Sequence, residues 1–254
     1  MDNPNHIYEL LLDASSDKRE VERIVIGQVW TVCQAGHCGL AMSPALATRT
    51  LAWAGTVQGK SSAELTPWVK DWDPFKATLG LAAINCNLNS QKSLPGKILE
   101  PESGKANLAV FDYFFPQIKD QKIVVIGHYP GIEQYYSQYN LKVIERQPVG
   151  MDYPDSAAEY LIADADWVFV TATSIANKTF PRLMQLAANT KTVLMGPSTP
   201  WLTTLSGFGV DYLVGVDVVD KERLYHTAAE GGGVRIFDTA VRYKVVDLST
   251  ALES

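Results

Sequence analysis

The sequence predicts an α/β protein in which a small α+β domain precedes a doubly wound parallel sheet. In the C-terminal part, apolar runs of strand length alternate with helical segments, which is typical of a parallel sheet covered by helices. The N-terminal part instead combines helices with short β-branched runs around Gly36 and Gly39, which predicts a small meander.

The first elements follow from residue periodicity. Residues 6–17 predict a helix, because their apolar side chains fall on one stripe. Residues 21–29 are rich in Val and Ile and predict a strand, which residues 30–33 extend or pair with. Residues 36–42 predict a turn that enters another strand.

Two helix starts stand further along the chain. Ser61 and Ser62 precede Glu64 with capping-box spacing, so one serine caps the helix and the glutamate reaches back to an amide. Asp73-Pro74 opens a longer helix, with proline at its first position, and this helix ends near residues 85–89.

Residues 93–107 contain several Pro, Gly and Ser residues and predict the domain boundary. We therefore assign residues 1–104 to the first domain and residues 105–254 to the second. The strands predicted in the second domain are 123–126, 141–145, 167–170, 191–195 and 210–214. The helices predicted between and after them are 131–138, 154–162, 179–188 and 217–229.

Composition excludes several classes of function. The net charge of −6 and the pI near 5.2 argue against a broad nucleic-acid or anionic-membrane surface. The chain has no apolar run of the ~20 residues that a membrane span needs, and residues 1–6 do not resemble a secretory signal. Three cysteines indicate a reducing compartment. These observations predict a cytoplasmic protein.

Two polar turns follow neighbouring strands of the predicted sheet. Because ligands bind outside the carboxyl ends of parallel strands, we expect a ligand site there. The residues of these turns predicted to bind a ligand are Thr171, Thr173, Asn177, Thr179, Gly196, Pro197, Ser198 and Thr199. Hydroxyls and an amide are suited to an anion or a polar small molecule. Asn177 or Thr179 could equally serve as a plain helix cap.

The turn after the first strand of the second domain adds Gly127, His128 and Tyr129 to the predicted ligand site. A Rossmann protein cradles pyrophosphate at this position, but the G-x-G-x-x-G spacing is missing. Glu145 ends the next strand, where an acidic side chain can hold a ribose or simply remain solvated. Histidine at position 128 could ligate a metal or transfer protons. The aspartates supply no clean catalytic pair.

Cys33, His37 and Cys38 are candidate soft-metal ligands. Their spacing is not that of a standard zinc site, and adjacent residues on a strand point to opposite faces. The alternatives are a transient metal or metal-chelate site and no metal site at all.

Several groups of residues resemble one family, the domain of unknown function described as "putative heavy-metal chelation". The segments that show this resemblance are residues 171–173, 177–179, 196–200 and 230–232. Segments 27–31, 39–41 and 80–85 are similar to the enolase-N-terminal-like first domain of that family. The resemblance implies a Rossmann-like second domain, a ligand cleft between the two domains and a transition metal or metal chelate as the ligand.

Three functions therefore compete. The leading hypothesis is binding of a small anionic ligand or metal chelate in an interdomain cleft. The second is an enzyme, a transferase or lyase, that uses a nucleotide-like or S-adenosyl-type cofactor. The third is an oligomeric scaffold. No reaction can be assigned, and homo-oligomer formation is left open.

Overall fold

The computed structural model describes residues 3–91, 94–102 and 104–251. Met1, Asp2, Ser93 and Ser103, on which parts of the predictions rest, lie outside the described residues. The helices are α1 (His6–Ala14), α2 (Ser62–Leu65), α3 (Pro74–Leu88), α4 (Ala109–Phe114), α5 (Ala158–Leu161), α6 (Thr173–Ala176), α7 (Phe180–Leu186), α8 (Lys221–Ala229), α9 (Ile236–Thr239) and α10 (Leu248–Ala251). Within this part of the chain, none of them is long and apolar enough to cross a membrane.

The strands form two sheets. They are β1 (Arg23–Ile26), β2 (Trp30–Ala35), β3 (His37–Met42), β4 (Lys97–Ile98), β5 (Lys122–Ile126), β6 (Asn140–Glu145), β7 (Tyr153–Pro154), β8 (Trp167–Thr171), β9 (Lys191–Met195), β10 (Tyr212–Val218) and β11 (Val241–Asp247). Strands β1–β3 form the small antiparallel sheet. The other eight form one sheet in the order β4-β11-β10-β9-β8-β5-β6-β7. The predicted α/β class is confirmed.

Six neighbouring strands of the large sheet, β7-β6-β5-β8-β9-β10, run parallel to one another. Numbered along the chain, their order is 3-2-1-4-5-6, which is the order of a doubly wound sheet. The order reverses between β5 and β8. Such a sheet has a crevice outside the carboxyl ends of these two strands. The turns after β5 and β8 therefore fall where a ligand is expected, and the turn after β9 follows the neighbouring strand.

The large sheet has a hydrophobic core on each face. Successive residues of a strand point to opposite faces, so each of its longer strands contributes side chains to both cores. Val124 and Val168 face a core that includes α1 and α3 of the N-terminal part. Val125 and Phe169 face a second core that is rich in aromatic side chains from α4. The N-terminal part therefore packs on the same body as the large sheet.

The small sheet lies between α3 and α8. Gly39 of β3 lets α3 approach closely, since a β-carbon there would lie 2.0 Å from the backbone nitrogen of Cys86. On the other side, Trp30 Nε1 donates a hydrogen bond to the carbonyl of Gly233 at 2.8 Å. This packing brings the end of β3 to the large sheet, where Met42 N donates to Ser198 Oγ at 2.9 Å.

Several predicted elements differ from the observed ones. The helix expected at 131–138 is only a 3-10 helix, Ile132–Tyr135, because β6 already begins at Asn140. The helix expected at 154–162 is a 3-10 turn followed by the short α5. Strand β4 lies inside the predicted linker and pairs with β11. The boundary between residues 104 and 105 stays a prediction.

Candidate functional site

The candidate site lies at the carboxyl ends of β5, β8 and β9. The loop after β5 is held close to β6 and β8, because Gly127 N donates to Ile144 O at 2.8 Å. Gly127 has a φ of 105°, and a β-carbon there would stand 3.3 Å from Thr171 Cβ. Glycine permits both the positive φ and this close approach. We call Gly127, His128, Tyr129, Thr171, Thr173 and Gly196 the strand-end site.

The Tyr129 hydroxyl is buried where the three strand ends meet. A β-carbon on Gly196 would lie 3.5 Å from it, so the absence of a side chain there leaves room beside the hydroxyl. Within the described part of the chain, no hydrogen bond of good geometry satisfies this hydroxyl. Burial raises the pKa of Tyr129 well above its usual value, although the neighbouring Thr171 hydroxyl acts in the opposite direction. The group is therefore a protonated, unsatisfied donor at neutral pH.

Thr171 and Thr173 form a small hydroxyl cluster that meets the N-terminal part. The Thr171 hydroxyl donates to Thr173 Oγ1 at 3.2 Å, and Thr173 N approaches Thr171 Oγ1 at 3.4 Å. Thr173 Oγ1 lies 3.8 Å from Met42 Sδ, and both side chains retain solvent exposure. The strand-end site is thus bordered by the end of β3.

His128 belongs to a hydrogen-bond network on the other flank of the loop. Its Nδ1 lies 2.8 Å from Asp152 Oδ2, and the Asp152 side chain is fully buried. Tyr136 donates its hydroxyl to Asp152 Oδ1 at 3.0 Å, and Val149 N donates to Oδ2 at 3.1 Å. Both burial and Asp152 raise the pKa of Tyr136. The carboxylate therefore fixes the orientation of the imidazole.

A cavity of about 660 Å³ opens beside this network. Its lining residues are His128, Glu133, Tyr136, Ser137, Val149, Gly150 and Met151. The volume falls in the range of small-molecule sites. The cavity gives the imidazole an accessible face while its other side is tied to the buried carboxylate.

Sequence reasoning missed Asp152 and Tyr136. Asp152 Oδ2 lies 2.8 Å from His128 Nδ1, although 24 residues separate the two in the chain. That the aspartates supply no clean catalytic pair stays a prediction. Asp152 stands in an irregular loop, so no periodic pattern marked it. One signal in the sequence could have indicated this contact: His128 follows one strand of the parallel sheet, and Asp152 lies in the loop after the next strand, so both fall at the same edge.

Asn177 and Thr179 form a local hydrogen-bonded turn before α7. Asn177 Oδ1 accepts hydrogen bonds from Thr179 N at 3.1 Å and from the Thr179 hydroxyl at 2.7 Å. Lys178, between them, donates to the carbonyls of Val69 and Ala176. This turn therefore faces the N-terminal part. Thr179 is the N-cap residue of α7, and neither its side chain nor that of Asn177 accepts a hydrogen bond from the first amides of the helix, so the capping interpretation is wrong in detail.

The turn at residues 196–200 is buried along its whole length. The Ser198 hydroxyl accepts from Met42 N, and the Ser198 carbonyl accepts from Asn85 Nδ2 at 3.0 Å. The Thr199 hydroxyl donates to the carbonyl of Val214 at 3.1 Å. Gly196 and Pro197 shape the turn. The Ser198 hydroxyl joins the two parts of the chain, whereas the Thr199 hydroxyl bonds within the second part. Gly196 borders the Tyr129 hydroxyl.

Replacing Ser198 with alanine tests this structural role. Ser198→Ala leaves the partly buried amide of Met42 without its acceptor, so we expect the free energy of unfolding to fall by about 1–2 kcal/mol. Urea denaturation measures this change. Ser156→Ala, in an exposed 3-10 turn, is the matched control and should change stability little. An unchanged stability of Ser198→Ala would leave its hydroxyl open to a ligand role.

Glu145 is engaged by the backbone rather than free for a ribose. Its Oε2 accepts from His128 N at 2.9 Å. Its Oε1 accepts from Arg146 N at 2.7 Å and from Gln147 N at 3.2 Å. A nucleotide at this edge would have to displace these bonds, so Glu145 gives the cofactor hypothesis no direct support.

The candidate cysteines do not form a metal centre. Cys33 packs towards α3 and Cys38 towards the opposite core. The Cys86 thiol lies beside Cys33 and donates to the carbonyl of His37 at 3.0 Å. Among residues 3–91, 94–102 and 104–251, no group of three or more His, Cys, Asp or Glu side chains could hold a metal ion.

Comparisons with known proteins agree with this architecture. Residues 8–87 match the model of the DUF4213 family and residues 109–247 that of the DUF364 family, both described as "Putative heavy-metal chelation". No curated protein matches. A DUF364 protein of unknown function from Desulfitobacterium hafniense has a similar structure, with a TM-score of 0.81 and 26% identity over 96% of this chain and 98% of that one. One from Pyrococcus horikoshii gives 0.77 and 19% over 96% and 99%.

Proposed function

This chain belongs to the DUF364 family, described as "Putative heavy-metal chelation", and we propose on that premise that it binds a small anionic ligand or metal chelate at the strand-end site. The ligand would lie against Gly127, His128, Tyr129, Thr171, Thr173 and Gly196, where the end of β3 meets the large sheet. Asn177, Thr179, Pro197, Ser198 and Thr199 would support the shape of that wall.

The observation that carries the proposal is the buried, unsatisfied hydroxyl of Tyr129. A buried donor without an acceptor costs about 1–3 kcal/mol. A carboxylate or other anionic oxygen that entered beside Gly196 would remove this cost. The space left by Gly196 and the nearby hydroxyl of Thr171 suit an oxygen-rich ligand.

Replacing Tyr129 with phenylalanine separates a binding role from a structural one. Phe fills the same space without the unsatisfied hydroxyl, so we expect the free energy of unfolding to stay equal or rise slightly, by ~0.5 kcal/mol. We expect the affinity for the ligand to fall at least tenfold, which corresponds to about 1.4 kcal/mol.

Calorimetry against citrate, iminodiacetate and their Cu²⁺ and Ni²⁺ complexes provides the measurement. Tyr225→Phe is the control, because that ring packs under Arg23, away from the strand ends. Absence of stoichiometric binding across the panel, or equal binding by the wild type and Tyr129→Phe, would refute the proposal.

The remaining assignments are proposals with the following support. The strand order supports a Rossmann-like second domain over residues 105–254, and the antiparallel meander with its long helix supports an enolase-N-terminal-like first domain over residues 1–104. The net charge of −6 supports a partner other than nucleic acid. The cytoplasmic location rests on composition alone.

A further inference from the structure

We propose that the protein recognises metal only as a preformed chelate, and that His128 Nε2 takes an open coordination position on that metal. This inference rests on the proposed function and specifies its class of ligand: a small organic complex of a divalent transition metal whose coordination sphere is not full. It places that complex in the cavity beside the His128 imidazole, on the other flank of the loop from the Tyr129 hydroxyl. The protein then supplies one ligand atom and the walls of the cavity. It does not supply the chelating set itself.

The first support is the tautomer that Asp152 imposes. Its fully buried carboxylate lies 2.8 Å from His128 Nδ1, and its two oxygens also accept from Tyr136 and Val149. A carboxylate held in this way accepts the Nδ1 proton, which leaves the lone pair on Nε2. Metal-ligating histidines generally donate their other ring N–H to such a partner.

The second support is access. The His128 side chain is 26% exposed and lines the cavity, and no hydrogen bond from the described residues reaches Nε2. The rim includes Val149 and Met151, which are 55% and 67% exposed. These apolar side chains would contact the organic part of a complex, for which a cavity of about 660 Å³ is large enough.

The third support is the poor fit of a bare ion. A tightly held transition metal generally has three or four protein ligands. The described part of the chain brings together no such group, and the cysteines near His37 are buried on opposite faces of their strands. A chelate brings most of its own ligands, so one oriented imidazole is enough to complete it.

Complexes with different numbers of open positions test this inference. Iminodiacetate fills three positions of Cu²⁺ and leaves one strong position open, whereas ethylenediaminetetraacetate fills them all. We expect calorimetry to give 1:1 binding of the iminodiacetate complex and none of the saturated one. His128→Gln should weaken that binding at least tenfold, and Asp152→Asn by roughly tenfold through loss of orientation.

Copper spectroscopy gives a second readout. The electron paramagnetic resonance spectrum of the bound complex should show coupling to one imidazole nitrogen, and His128→Gln should remove it. Because the other histidines can also bind copper weakly, the control carries His6→Gln, His37→Gln and His226→Gln together. This triple variant should keep the full affinity and the coupling to the imidazole nitrogen.

Three results would overturn the inference. One is equal binding of the copper iminodiacetate complex by the wild type and His128→Gln. Another is tight binding of free Cu²⁺ by His128→Gln, which would reveal a chelating set elsewhere. Tyr129-dependent binding of metal-free citrate or iminodiacetate, without any His128-dependent copper complex, would refute this inference and leave the proposed function standing.

Discussion

Gly39→Ala is expected to destabilise the protein by about 3 kcal/mol or more, because its β-carbon would overlap the backbone of α3. That atom would lie 2.0 Å from Cys86 N and 2.2 Å from Ala82 O. Backbone atoms of a 15-residue helix cannot rotate away as a side chain can, so the helix must move as a unit.

Movement of α3 would also disturb the strand-end site. Asn85 on this helix donates to the carbonyls of Leu40 and Ser198 at 2.9 and 3.0 Å, which ties β3 to the turn after β9. We therefore expect Gly39→Ala to weaken ligand binding together with stability, although Gly39 does not border the strand-end site.

Urea denaturation and calorimetry measure the two effects. Gly207→Ala is the matched control: a β-carbon there has no atom within 4 Å, and the residue is an exposed position of the 3-10 helix at residues 203–208. We expect this control to change stability by less than about 0.5 kcal/mol. A Gly39→Ala variant as stable as the control would mean that α3 does not pack as closely as the structure describes.

The parts of the fold that could be predicted are those that local chemistry determines. Asp73 caps α3 by accepting from the amides of Phe75 and Lys76, and Pro74 occupies the first position, as its sequence indicated. The buried parallel strands were recognisable as continuous apolar runs.

The missed elements depend on long-range contacts. Strand β11 pairs antiparallel with β10 and carries Arg242 and Lys244 between its apolar residues, so it lacks the continuous run of a central strand. Helix α4 is only six residues long. Neither has a local signal strong enough to compete with a loop interpretation.

The candidate site was predictable in position but not in chemistry. The alternation of strands and helices fixed the carboxyl edge as the place to look, and residues 127–129, 171–173 and 196 do meet there. The sequence could not distinguish hydroxyls that hold the turns from those that face a ligand, because both uses favour the same residue types. Nor could it pair His128 with Asp152, since that contact requires the folded loop after β6.

Lys178→Met is expected to remove a rise in stability that the wild type undergoes between pH 8 and about pH 10. Burial lowers the pKa of Lys178 from 10.5 to about 8, with Asp71 acting weakly in the opposite direction. Its ammonium group donates to the carbonyls of Val69 and Ala176 and lies 5.1 Å from the ring centre of Tyr8. These contacts join the turn after α6 to the N-terminal part.

The sign follows from proton binding. Between pH 8 and 10.5 the unfolded chain keeps the Lys178 proton while the folded chain has released it, so the unfolded state binds more protons. Stability therefore increases with pH across this window, by roughly 2 kcal/mol after allowance for the exposed part of the side chain. Below pH 8 both states are protonated, and this contribution no longer changes.

The difference between the wild type and Lys178→Met isolates this contribution, because other titrating groups are common to both. Burial raises the pKa of Tyr8, which opposes the effect only above pH 10, so urea denaturation at pH 7, 8, 9 and 10 is the useful range. Lys70→Met, on an exposed side chain, should give curves parallel to the wild type. Parallel curves for Lys178→Met as well would show that its ammonium group remains solvated.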